Sequence, residues 1–126
     1  MGYRSTAILA VSKEARPYLM HFLGQNAEAM NLCFGKYADR TEDFQGEEGS
    51  VMFRFDGIKW YDSFPEIQAI EEFMAHMSCE IDLKDSEDNQ VDGEELYRFV
   101  RIGEEYEDIE QRGFAFDIYP SVGIEY

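Results

Sequence analysis

Residues 50–77 read SVMFRFDGIKWYDSFPEIQAIEEFMAHM, and within this stretch the spacing of apolar residues changes from two to three and four. Val51, Phe53 and Phe55 alternate with Met52 and Arg54, the pattern of a strand with one face buried. Asp56-Gly57 follows, a pair suited to positive φ. It fits either a tight hairpin, with Ile58 to Tyr61 as the return strand, or a single strand kinked by a bulge at Gly57. Ser63-Phe64-Pro65-Glu66 then carries the signals of a helix start. Ser63 can cap, Pro65 is tolerated in a first turn, and Glu66 completes a capping box. Ile67, Ile70, Met74 and Met77, widened by Phe73, form one apolar stripe, which predicts a helix from Phe64 to Met77. A half-buried strand feeding an amphipathic helix needs a sheet-and-helix core, so the fold class is α+β.

Working outward, Tyr3 to Val11 reads as a first strand ending in the apolar run Ala7 to Val11. Ala15, Leu19, Phe22 and Leu23 fall at helical spacing, and Pro17 places the helix start near Glu14 to Arg16, giving a helix over Glu14–Gly24. Asn26 is placed to cap a second helical stretch bearing Ala27, Met30 and Cys33 that Gly35 ends. Residues 36–49 read as a loop and 80–95 as an acidic, turn-rich segment. Leu96 to Ile102 returns to a strand. Gly103 to Gly113 fits a one-turn helix or an irregular loop. Phe114, Phe116 and Ile118 alternate as a final strand that Pro120 ends or holds at an edge, and Val122, Ile124 and Tyr126 suggest a short tail strand. The expectation is a single domain over residues 1–126. Its mainly antiparallel sheet of four to five strands is covered on one face by the Glu14–Gly24 and Phe64–Met77 helices, an order compatible with a ferredoxin-like variant.

The 126 residues carry 11 Lys+Arg against 27 Asp+Glu, a formal net charge of -16. Residues 1–38 hold four basic and two acidic side chains, so the negative field belongs to the rest of the chain. It is densest over Glu80 to Glu110, where thirteen acids face three bases. Such a surface repels phosphates, which argues against direct nucleic-acid binding. Concentrating like charge costs stability, and a basic protein surface would be steered toward it. Glu94, Glu95, Glu104, Glu105, Glu107, Asp108 and Glu110 are therefore the candidate partner-binding residues, and the face they form could imitate nucleic-acid phosphates.

Other chemistry is weakly supported. Asp88 to Gly93 begins like an EF-hand loop, but Phe99 stands where the bidentate Glu belongs. Cys33, Cys79, His21 and His76 lack zinc-ligand spacing, and no nucleophile or phosphate-loop motif is present. No metal, cofactor or catalytic residue is assigned. Both cysteines read as reduced, buried thiols, with one disulfide between them as the alternative. Trp60 reads as a core residue rather than an interface anchor. Gly2 and Thr6 fit a loose myristoylation pattern, read instead as a strand entering a sheet. No signal peptide or span of about 20 apolar residues is visible, so a cytoplasmic protein away from membranes is expected.

Several patches carry a resemblance: Met1-Gly2-Tyr3-Arg4-Ser5 before a short apolar strand, Ile58 to Glu66, Phe99 to Glu105, and Glu107-Asp108-Ile109-Glu110. Together they resemble small acidic proteins of tailed bacteriophages and prophages. The resemblance implies an origin and no established activity. It points to a phage-encoded modulator of host takeover or anti-defence, non-catalytic, binding a basic surface on a host protein. The alternative is an immunity-type or antitoxin protein that neutralises a dedicated toxin.

Overall fold

The computed structural model describes residues 4–78, 93–105, 107–120 and 124–125. The elements run β1 (Ser5–Val11), α1 (Arg16–Gly24), α2 (Ala27–Phe34), β2 (Asp39–Glu42), β3 (Val51–Ile58), α3 (Pro65–Ser78), β4 (Tyr97–Ile102), β5 (Ile109–Gly113), β6 (Tyr119–Pro120) and β7 (Ile124–Glu125). Five strands form one antiparallel sheet in the order β2-β3-β1-β4-β5, and β6 and β7 pair separately. With α1 and α2 between β1 and β2, and α3 between β3 and β4, the first four strands follow the ferredoxin-like plan. β5 extends it by a hairpin on β4.

β1 lies in the middle of the sheet, which explains its unbroken apolar sequence: Ala7 to Val11 are inaccessible on both faces. Ala7, Leu9 and Val11 join Val51, Phe53, Phe55, Tyr97 and Phe99 under the helices. Ile8, Ala10, Met52 and Val100 face the opposite side, where Phe44 and Ile118 cover them and Phe116 packs alongside. All three helices add to the first face, Leu19 and Leu23 from α1, Ala29 and Cys33 from α2, and Ile67 to Met77 from α3. At about 25 cal/mol per Å² of apolar area, these side chains supply the dominant stabilisation.

At Gly57 the structure selects the bulge. β3 runs unbroken to Ile58 with Gly57 at φ 67, and its register against β1 shifts between Ser5 and Ala7. The Asn26 cap is present, its side chain accepting from the Ala29 amide at 3.0 Å.

Four expectations are corrected. The helical layer has three helices rather than two, because Ala29 and Cys33 give α2 a buried face of its own. The 36–49 loop contains an edge strand, β2, which its sequence hides because all four side chains are exposed. Gly103 to Gly113 is neither a one-turn helix nor an irregular loop throughout, since its second half is β5, paired with β4. Phe114 to Ile118 is not a strand: Gly113 (φ 77) and Phe116 (φ 64) turn the backbone out of the extended region.

Cys33 is a buried free thiol. Gly2, Cys79, the Asp88–Asp92 run of the near-EF-hand segment, and Val122 and Tyr126 of the tail lie outside the described residues. No described helix is long and apolar enough to cross a membrane.

Candidate partner-binding surface

The seven acidic residues picked from the sequence do not form one patch. Glu94 and Glu95 precede β4, while Glu104, Glu105, Glu107 and Asp108 lie in the turn beyond its far end. Six strand residues at about 3.3 Å each put about 20 Å between the groups.

In the turn group, Glu104, Glu105 and Glu107 are exposed, but Asp108 and Glu110 are engaged by Arg101. The guanidinium donates to both Asp108 oxygens at 2.9 and 3.1 Å, to Glu110 at 3.2 Å and to Ser5 Oγ at 3.1 Å. Burial works against the Arg101 charge, yet its hydrogen bonds to the two carboxylates, with their negative charge, outweigh it and hold its pKa above the ordinary arginine value. Asp108 and Glu110 are therefore committed to closing the β4–β5 hairpin.

Glu95 stands in a different setting. With Glu14, Glu47 and Asp117 it lines a cleft of about 690 Å³ that also includes Gln45, Leu96, Phe114 and Phe116. No Lys or Arg is among the described residues that line it, and none of these four carboxylates forms an ion pair with a described residue. Elsewhere the arginines are spent: Arg16 on Glu42, Arg54 on Asp56, and Arg112 on Glu71, which also accepts from Trp60 Nε1. Trp60 itself packs on Phe99 with ring centroids 5.0 Å apart, as a core residue does.

The cleft is built under constraint. The non-glycine residues with positive φ among the described residues are Asp43, Gln45 and Phe116, and all three belong to its walls or their immediate support. Asp43 tolerates that region, but for Gln and Phe it is a strained state costing of order 1–3 kcal/mol each. Three sets of contacts hold it. The Gln45 amide bonds the backbone of Asp117 in both directions, at 2.9 and 3.0 Å. Phe44 and Phe116 pack with centroids 5.4 Å apart. Arg98 brackets the 113–118 segment, donating to Gly113 O at 3.0 Å and twice to Ile118 O at 3.0 and 3.3 Å. Partial burial among these neutral acceptors pulls the Arg98 pKa below the usual arginine value. Against this fixed frame Phe114 is 71% exposed, although its amide is tied to Glu94 O at 2.7 Å. Backbone strain held in place beside an exposed aromatic side chain is how binding sites are commonly built.

Of the residues lining this cleft, charge along the sequence singles out Glu95 alone, and Glu14, Glu47, Asp117 and Phe114 are not among the candidates. The run Gly113-Phe114-Ala115-Phe116 held a signal, since a glycine before alternating aromatics can mark a turn as readily as a strand.

Among the described residues the histidines contact aromatic rings and an amide rather than a nucleophile. His76 is half-buried between the rings of Tyr18 and Phe22, at 5.6 and 5.5 Å. His21 is exposed and bonded to Gln25. Among the described residues no group of three or more His, Cys, Asp or Glu side chains converges to hold a metal ion. No family model matches the chain, and no curated protein or solved structure is detectably similar to it.

Proposed function

We propose that the chain is a non-catalytic, phage-encoded protein-binding modulator that presents an acidic surface to a basic region of a host protein. The observation that carries this reading is the cleft around Glu95, where four carboxylates and an exposed phenyl ring line one cavity beside the strained Gln45 and Phe116, with no cation among the described lining residues. The net charge of -16 would speed the encounter with a basic partner at low salt, and the cleft would supply the contact that persists after encounter. The exposed turn acids Glu104, Glu105 and Glu107 add to steering, whereas Asp108 and Glu110 serve the hairpin.

The test is capture from a bacterial lysate at low and high salt, followed by affinity measurements with the purified partner. The combined variant Glu14→Gln, Glu47→Gln, Glu95→Gln, Asp117→Asn should weaken binding at least tenfold and flatten its salt dependence. Glu104→Gln, Glu105→Gln, Glu107→Gln should mainly slow association. An affinity and salt slope unchanged in both sets would end the electrostatic reading.

A further inference from the structure

We infer that the cleft between Gln45 and the 113–118 segment receives an arginine side chain of the partner polypeptide, its guanidinium lying against Phe114 and neutralised by the carboxylates around it. This rests on the acidic-surface reading above and names the chemistry that the surface takes.

Three classes of occupant compete for the site. A purely apolar segment would cover the Phe114 ring but strip water from Glu14, Glu47, Glu95 and Asp117 without supplying a counter-charge, an unfavourable exchange. A second copy of the chain brings another net charge of -16 to a surface of the same sign. A basic polypeptide satisfies both features. Between its two cations, ammonium is a compact, strongly hydrated point charge. Guanidinium is flat and weakly hydrated, stacks on aromatic faces and donates to carboxylates through a fork. An exposed phenyl ring among carboxylates suits the second. The described lining residues include no cation to displace, and the Gln45 amide, the neutral donor nearest in kind, is already spent on Asp117. At about 690 Å³ and open to solvent, it exceeds one side chain, leaving room for the backbone that carries the arginine.

The experiment titrates the intact protein at low salt with hexa-arginine, hexa-lysine and free arginine, reading affinity by calorimetry and location by amide chemical shifts. Variants are Phe114→Leu, which alters a ring outside the core, and the turn set Glu104→Gln, Glu105→Gln, Glu107→Gln. Hexa-arginine should bind about three- to fivefold tighter than hexa-lysine, shift the amides of Phe114 to Asp117, and lose its advantage in Phe114→Leu but not in the turn set. Equal affinity of the two peptides, a preference surviving Phe114→Leu, or shifts confined to the 103–108 turn would overturn the arginine site while leaving the acidic-surface reading in place. Free arginine binding as tightly as the peptide would overturn the polypeptide as its source. No binding of either peptide would remove both readings.

Discussion

The Gln45 side chain closes a two-way hydrogen-bonded clasp on the backbone of Asp117, 72 positions away, donating to its carbonyl at 2.9 Å and accepting from its amide at 3.0 Å. A side-chain amide here does what a neighbouring strand would do for an isolated backbone unit. It ties the 3-10 turn Phe44–Gly46 to the segment carrying Phe114 and Phe116. The clasp helps to hold Gln45 at φ 55. Gln45→Ala keeps the strained backbone and loses both bonds, so it should cost about 1–2 kcal/mol. Gln45→Gly loses the same bonds but relieves the strain, and should be about 1 kcal/mol more stable than the Ala variant. Denaturant unfolding gives the order, and faster hydrogen exchange at the Asp117 amide in both variants identifies the clasp as the cause.

Arg98 acts on the same segment from the sheet. Its guanidinium reaches Gly113 O, Ile118 O and the Gln111 side chain at once, which a single ammonium cannot do. Arg98→Lys should therefore destabilise by about 1–2 kcal/mol despite keeping the charge. It should also weaken partner binding, because the segment that presents Phe114 is no longer bracketed. A loss of stability with affinity intact would mean that the bracket supports the fold alone.

Gly113 shows where the chain leaves the sheet. It sits at φ 77, and a Cβ added there would lie 2.1 Å from Tyr97 O. Gly113→Ala should cost about 2–4 kcal/mol, combining left-handed strain with a clash against backbone that cannot yield cheaply. Gly46→Ala is the control. Gly46 has φ 80 but nothing within 4 Å of the added carbon, so its cost should stay near 1 kcal/mol. Thermal unfolding of the two variants separates steric from conformational cost.

Much of this architecture is legible in the chain because local and tertiary demands agree. The β1 run, the Asn26 cap and the α3 stripe each spell one structure, and that structure forms. Legibility fails where tertiary pairing decides. Asp56-Gly57 suits a hairpin or a bulge equally, and only the pairing of β3 with β1 selects the bulge. Asp39 to Glu42 shows no apolar alternation because an edge strand with both faces in water needs none. Phe114, Phe116 and Ile118 have strand spacing, but their roles differ: Phe114 meets solvent, Phe116 meets Phe44, and Ile118 fills the second core. The cleft is harder still, since Glu14, Glu47, Glu95 and Asp117 come from four separate segments. Charge counting along the chain ranks Asp108 and Glu110 with Glu95, because Arg101, seven and nine residues away on the paired strand, is invisible to it.

Cys33 provides the pH-dependent prediction. The thiol is fully buried among the helices, and burial raises its pKa from 9.0 to about 12. The folded protein thus binds this proton more tightly than the unfolded chain. The resulting stability is complete below about pH 9, declines as pH rises, and is lost once pH passes about 12. In a Cys79→Ser background, which leaves one thiol, the native protein at pH 8 should react with a thiol reagent at least a hundredfold more slowly than the denatured chain, since the reactive thiolate is scarce and shielded. Between pH 9 and 11 the unfolding free energy of that protein should fall faster than that of a Cys33→Ala, Cys79→Ser variant, which lacks the titrating thiol. Parallel pH profiles would show that the thiol does not contribute, and rapid labelling at pH 8 would place Cys33 in contact with solvent.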